Sequence, residues 1–415
     1  MNGSLLRLPA FRALWVGRLL SWIGSGLGPI AFAFAAIDLG ADPVELGVVV
    51  ASRAVPNVVL ILFGGAVSDR LPKRTVAMGA SILSAVGLAG AAGLLATGLA
   101  DLPLLAVAAA VSGAGAAFFA SATNAVLCDV VGEPLTRAAT VLNRTGMNIG
   151  LVVGIAGGGI LVGFATPEVA LAVGSLAFTF AVAAFAALPR RVIGSIRGRS
   201  FTRDLADGLA FVVRTKWLLA CLTLVFVGQL AFAGGVQVLG PFAADDSFGR
   251  TPWGLAGAVQ TVGLIVGATI AGRLRARIRL PRAAVVAGGM GLPLVVLALI
   301  LQLPRGVVDP LHWFFWLSLA LFAASTGLQV FTVSVDTTVQ LLVPRALRTQ
   351  VYACLTVAAL AGMPIGQMVI GPLYDLVGAP LALAILAALV AAAVVAVSAN
   401  PRVRRLGSSS FSSSS

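Results

Sequence analysis

The chain has 415 residues, 59% of them hydrophobic and only 10% charged, with a mean hydropathy of +1.03. A soluble domain of that size needs far more charge to cover its surface, so composition alone makes lipid the solvent. The formal net charge of +13 would suit a nucleic-acid partner, but its placement along the chain assigns it to membrane topology instead.

A helical span takes about 20 mostly apolar residues. Runs of that kind, separated by charged or Gly/Pro-marked breaks, fall at 13–36, 45–67, 76–98, 103–127, 139–163 and 168–188. After a polar stretch they resume at 217–240, 252–272, 283–303, 313–341, 351–375 and 379–399. The expected fold is an all-α membrane protein with twelve transmembrane helices in two pseudo-symmetric six-helix bundles. Residues 1–190 are expected to form the N-terminal bundle, 191–216 a cytoplasmic linker, 217–400 the C-terminal bundle and 401–415 a disordered cytoplasmic tail. The first run is too long for a secretory signal and is closely followed by another span, so it reads as uncleaved.

With the N-terminus in the cytoplasm, all but four of the 28 Lys and Arg lie in the N-terminal arm, the loops after even-numbered spans, or the tail. Arg250 and Arg305 fall on the other side, and Arg53 and Arg144 fall inside spans. Asp38, Asp42, Glu45, Asp101, Glu168, Asp245, Asp246 and Asp309 crowd the external side. This is the positive-inside pattern. It puts both termini on the cytoplasmic face of the inner (plasma) membrane and explains the basic charge without any nucleic acid. Within the linker, Phe201, Leu205, Leu209 and Val212 or Val213 recur at helical spacing, as in a short amphipathic helix lying on the membrane surface.

Ionisable residues at membrane depth are functional candidates by default. Arg53 and Asn57 stand four apart in the second span, and Arg144 and Asn148 repeat that spacing in the fifth, so each pair shares one helix face. In an inverted three-plus-three repeat these spans are counterparts. Both arginines are expected to face a central cavity and to favour an anionic or carbonyl-rich substrate, the competing reading being a structural pair or a snorkelling side chain. Ser21, Ser25, Asn124, Gln229, Gln237, Gln260, Gln329 and Thr332 are further polar positions that could line a cavity. Cys128, Cys221 and Cys354 sit far apart in apolar runs and read as small buried hydrophobes; His312 is the one histidine. No metal site, cofactor or catalytic constellation is expected.

Between the second and third spans stands GGAVSDRLPKR, residues 64–74. It resembles the loop signature of the major facilitator superfamily, with Gly65, Asp69, Arg70, Lys73 and Arg74 at matching positions, Val67 in place of a Leu and Pro72 in place of a Gly. Gly65 lets helices approach closely, while Asp69 suits the N-terminal dipole of a neighbouring helix. GRLRARIRLPR, residues 272–282, echoes the pattern between spans eight and nine, with Ala276 where the acid would be. In the fifth span, GLVVGIAGGG places Gly150, Gly154, Gly158 and Gly159 as in the glycine-rich signature of the antiporter branches, with Ile155 at its proline. Two longer stretches, 118–146 and 343–373, look like the corresponding segments of the exporter branch that includes the macrolide-efflux and enterobactin-exporter type.

The resemblance implies a secondary transporter working by alternating access. Asp129 and Asp336, near the ends of spans four and ten, would then hold the cytoplasmic gate. Asp129 would pair with Arg70 or Arg74 and Asp336 with the basic loop after span eight; alternatively, one of them carries a coupling proton. The expected function is export of small amphipathic molecules such as drugs, antibiotics or siderophores by a monomer in contact with membrane lipids, coupled to protons. An importer or facilitator of a small nutrient is the alternative, and a non-transporting sensor on the same scaffold a third.

Overall fold

The computed structural model describes residues 5, 7–68, 72–131, 135–188, 201–273, 280–303, 309–401 and 403. The described residues form helices and connecting turns, with no strand among them. This follows from the solvent: inside a bilayer a backbone must satisfy its own hydrogen bonds, and a helix does so within one segment. Among the described residues, twelve helices are long and apolar enough to cross a membrane.

The first six are α1 (Pro9–Asp38), α2 (Pro43–Ser68), α3 (Lys73–Ala96), α4 (Leu102–Val131), α5 (Thr136–Phe164) and α6 (Pro167–Ala186). A separate helix, α7 (Phe201–Arg214), occupies the stretch read as amphipathic. The remaining spans are α8 (Lys216–Ser247), α9 (Arg250–Arg273), α10 (Leu280–Gln302), α11 (Pro310–Leu342), α12 (Arg348–Val377) and α13 (Ala379–Ala399). The chain divides into two compact units, Met1–Ser200 and Phe201–Ser415. Helix α7 belongs to the second, where Gly208 lies against the Gln350 backbone at the start of α12.

The two units repeat one packing scheme. In the first, α1 packs on α5 and α6, α3 on α4 and α6, and α2 on α4. In the second, α8 packs on α12 and α13, α10 on α11 and α13, and α9 on α11. Shifted by one six-span half, these are the same pairs. Even the turns agree: α1–α2 and α8–α9 both turn through a left-handed glycine, Gly40 (φ 83°) and Gly249 (φ 93°), a conformation a Cβ disfavours.

Several of the acids between spans have a local task. Asp42 Oδ1 accepts from the Glu45 N–H at 2.8 Å while Glu45 Oε2 accepts from the Asp42 N–H at 3.0 Å, a reciprocal capping box that starts α2. Asp101 Oδ1 accepts from the Leu104 N–H at 2.7 Å at the start of α4, and Asp309 Oδ1 from the Leu311 N–H at 2.8 Å at the start of α11. Acids contribute little to topology; three of these clusters are where even-numbered spans begin and need caps. Asp245 and Arg250 instead form an exposed ion pair at 2.6 Å across the α8–α9 turn. Trp316, 52% exposed, stacks edge-on with Phe315 in the second turn of α11, as an interfacial aromatic does.

Small residues carry the close crossings. Gly150, Gly154 and Gly158 of α5 lie against Leu19, Ile23 and Leu27 of α1, and Gly26 of α1 returns the contact on Gly154. Gly362 and Gly366 of α12 lie in the same way against Phe226 and Leu230 of α8. Lipid tails are as apolar as the helices, so backbone-to-backbone proximity of this kind, rather than hydrophobic exclusion, holds membrane helices together. Two spans depart from regular α geometry among the described residues: within α8, Phe232–Leu239 is π-helical, and within α10, Gly288–Gly291 is a 3-10 turn.

Candidate functional site

Arg53 lies ten residues after Pro43 in α2, roughly 15 Å into the span at 1.5 Å per residue. Its guanidinium rests on Gly28 of α1, where a Cβ would begin 3.6 Å from Nε and 3.7 Å from Nη2. Gly28 is itself ten residues before the end of α1, so both helices reach the site at one depth. From the opposite direction Gly113 of α4 packs on the Arg53 main chain so closely that any side chain there would strike the carbonyl. Two glycines on two neighbouring helices thus make room for one arginine.

The site is not electrostatically closed. Arg53 Nε is buried and finds no acceptor, and Asn57 Oδ1, one turn further along α2, is buried and finds no donor. No ion pair to Arg53 occurs among the described residues. A cation at the centre of a membrane helix costs about 2.5–3.5 kcal/mol on insertion scales. Retaining one without a counter-ion points to a partner that arrives from outside the fold.

Arg144 is placed differently. It is exposed, with Asn148 partly buried one turn on. Gly154 lies against Gly26, two residues from Gly28, and Arg144 stands ten residues before Gly154. It is therefore roughly 18 Å from the level of Arg53 along the bundle. The two arginine–asparagine pairs form separate centres at different depths. A third cation, Arg18, groups on sequence with the basic N-terminal side although it falls within the first apolar run 13–36; it lies inside α1 and is only 5% exposed. Its position in an unbroken apolar run, LWVGRLLSWIG, was the available signal.

Of the loop signature, Asp69 and Arg70 lie outside the described residues, as do 274–279 of the second copy, the linker 189–200 and the tail 404–415. The backbones of Gly65, Lys73 and Asp129 belong to α2, α3 and α4, and the side chains of Lys73 and Asp129 lie outside the described residues. Arg74 is described, and its Nη1 donates to the Leu188 carbonyl at 2.8 Å. The resemblance offers Arg70 or Arg74 as the partner of Asp129, a pairing that lies outside the described residues; the bond to the carbonyl just beyond α6 ties the ends of α3 and α6 together. Arg74→Ala is expected to lower the thermal midpoint of the purified protein by roughly 3–6 °C, the effect of losing one charge-assisted hydrogen bond. Arg74→Lys should recover part of that. Melting in detergent followed by size-exclusion chromatography reads the difference, and a wild-type midpoint for the alanine variant would show that the bond does not fasten these ends.

Asp336 lies six residues before the end of α11, partly buried, and its main-chain carbonyl accepts from the Tyr352 hydroxyl of α12 at 3.4 Å. Gly150, Gly154 and Gly158 make the α1 seam described above, and Gly159 is buried beside them. Cys221 and Cys354 are both buried, as expected of small apolar side chains. Among the described residues no group of His, Cys, Asp and Glu could hold a metal ion. In the second unit Gln237, in the π-helical turn of α8, pairs with Gln367 of α12 at 2.7 Å, a contact that a reading of polar positions on single spans does not bring together.

The model of the transmembrane secretion effector family matches residues 3–415. The chain is 26% identical over 389 residues to the multidrug efflux pump Tap of Mycobacterium tuberculosis, covering 90% of this chain and 88% of that protein. It is also 26% identical over 392 residues to Tap of Mycolicibacterium fortuitum, covering 91% and 90%. Among solved structures, the nucleoside transporter NupG superposes with a TM-score of 0.76 at 16% identity, covering 94% of this chain and 98% of that one. A peptide transporter POT bound to alafosfalin superposes with a TM-score of 0.72 at 13% identity, covering 98% and 99%. At such identities these two likenesses describe the fold.

Proposed function

Because the chain belongs to the transmembrane secretion effector family of major facilitator transporters, and is a multi-pass membrane transporter rather than an enzyme, we propose that it exports small amphipathic molecules by alternating access. Drugs, antibiotics and siderophores are the substrate classes in view, and the proton gradient is the driving force. The observation that supports export is the likeness to multidrug efflux pumps across nine-tenths of the chain. The glycine seam of α5 on α1 is consistent with it, since the matching signature marks antiporter branches. In this reading the protein is a monomer in the inner (plasma) membrane with both termini in the cytoplasm. Asp69, Asp129 and Asp336 hold the inner gate with the basic residues of the loops. Whichever of Asp129 and Asp336 changes surroundings between inward-open and outward-open states carries the coupling proton, because an acid whose environment alternates binds and releases protons.

The test is accumulation in an efflux-deficient bacterium expressing wild type or Asp69→Asn at matched levels, with macrolides, other antibiotics and catechol siderophores as the panel. Wild type should lower accumulation of one class several-fold, and the variant should lose that effect. Collapse of the pH gradient should abolish it as well. Unchanged accumulation across the panel, together with uptake of a nutrient into the same cells, would replace export by import.

A further inference from the structure

We propose that Arg53 and Asn57 form a substrate subsite for an organic oxyanion, a carboxylate carried beside an amide N–H or hydroxyl on an otherwise apolar molecule. The inference rests on the export reading and names the chemistry that the pump would select.

Three observations carry it. The first is the unmet pair: a guanidinium with buried Nε and no acceptor stands one helical turn from a buried amide oxygen with no donor. Together they present donors for an oxyanion and, one turn away, an acceptor for a neighbouring N–H or O–H. The second is depth. Roughly 15 Å from the start of α2, Arg53 is about as far from either surface as a hydrocarbon core of about 30 Å allows. A lipid headgroup at its ordinary level does not reach it.

The third is the comparison of the two halves. The packing pairs repeat, so a feature the scaffold needs should occur in both units. At the α9–α11 crossing, which corresponds to α2–α4, the Ser325 hydroxyl donates to the Gln260 carbonyl at 2.8 Å and the Thr326 hydroxyl to the Gly263 carbonyl at 3.0 Å. No charged residue lies between Arg250 and Arg273 in α9. The crossing is therefore built with neutral groups where only packing is required. Arg53 and Asn57 are an addition to one half.

The probes are N-octanoylglycine, which has the carboxylate and the N–H; N-octanoyl-N-methylglycine, which lacks the N–H; and N-octanoylglycinamide, which lacks the charge. Binding to the purified full chain in detergent is followed by tryptophan fluorescence and by ligand-dependent thermal shift. Wild type should bind the acid at least about tenfold more tightly than the glycinamide, as loss of a charge-assisted contact implies. Arg53→Gln should erase that preference, Arg53→Lys should keep part of it, and Asn57→Leu should erase only the discrimination against the N-methyl acid. Each variant is first matched to wild type by its elution profile, and the lysine variant guards against misreading a folding defect. No binding of the acid by wild type, equal binding of acid and glycinamide, or an undiminished preference in Arg53→Gln would overturn the proposal. The export reading fails separately: if cells expressing the wild type expel nothing yet the purified protein keeps the anion preference, the subsite stands and the direction of transport is wrong. If Arg53→Gln expels the panel compounds normally and wild type shows no anion preference, export stands and the subsite falls.

Discussion

Gly154→Val is expected to abolish export and to lower the thermal midpoint by roughly 4–10 °C, while Gly157→Val, three residues along the same helix, leaves both near wild type. The two sites differ in surroundings and not in helix propensity. At Gly157 a Cβ would meet nothing within 4 Å. At Gly154 it would run into the Ile23 carbonyl oxygen and lie 3.0 Å from the Gly26 Cα, both main-chain atoms of α1 that no rotamer change can move aside. The helices must separate, and overpacking of that kind costs about 1–3 kcal/mol. The functional loss should exceed the stability loss. Gly26 is two residues from Gly28, on which the Arg53 guanidinium rests, so a wedge at Gly154 displaces the candidate site as well as the seam. Efflux and melting measured on the two variants at matched expression decide the matter. Export at the wild-type rate by Gly154→Val would mean that α1 and α5 need not stay in contact for the transport cycle.

The fold was largely legible because lipid removes the alternatives. A span must be a helix, its length is set by the bilayer, and basic loops fix its direction. The apolar run 313–341 became α11 from Pro310 to Leu342, and 217–240 became α8 with roughly two further turns at its end. Some helix-start chemistry was readable too. The spacing of Asp42 to Glu45 is a capping box, and Asp101 and Asp309 both immediately precede a span, so these acids could have been assigned to helix starts. The site was less legible, for a different reason. Which carbonyl Arg74 meets, whether Arg53 and Arg144 share a level, and which groups surround Gly28 depend on contacts between helices distant in sequence. When nearly every face is apolar, periodicity does not identify those faces. The π-helical turn of α8 was also invisible, since FAGGVQVL reads as ordinary apolar span.

That turn leads to a second expected result: Gln237→Leu should destabilise the protein more than Gln367→Leu, although Gln367 is the more buried residue. Gln367 is 2% exposed and Gln237 only partly buried, so burial alone predicts the opposite order. The partner left behind decides the order. Gln367 Nε2 donates to Gln237 Oε1 at 2.7 Å, and Gln367 Oε1 has no donor. Removing Gln237 strands the entire Gln367 amide in a closed interior, at about 1–3 kcal/mol for the unmet group. Removing Gln367 strands one oxygen that can still turn toward an open side, and leucine fills much of the space. The double leucine variant should therefore regain much of the loss, a coupling on the order of 1 kcal/mol. Gln237 itself sits within the π-helical turn. One extra residue per turn rotates the remainder of α8 by roughly 100° relative to a continuous α-helix, and Gly234 lets that widened segment press against the Gly366 carbonyl of α12. Thermal midpoints of the four proteins complete the cycle. Additive losses in the double variant would mean that the two amides act independently and that the π-helical turn has some other cause.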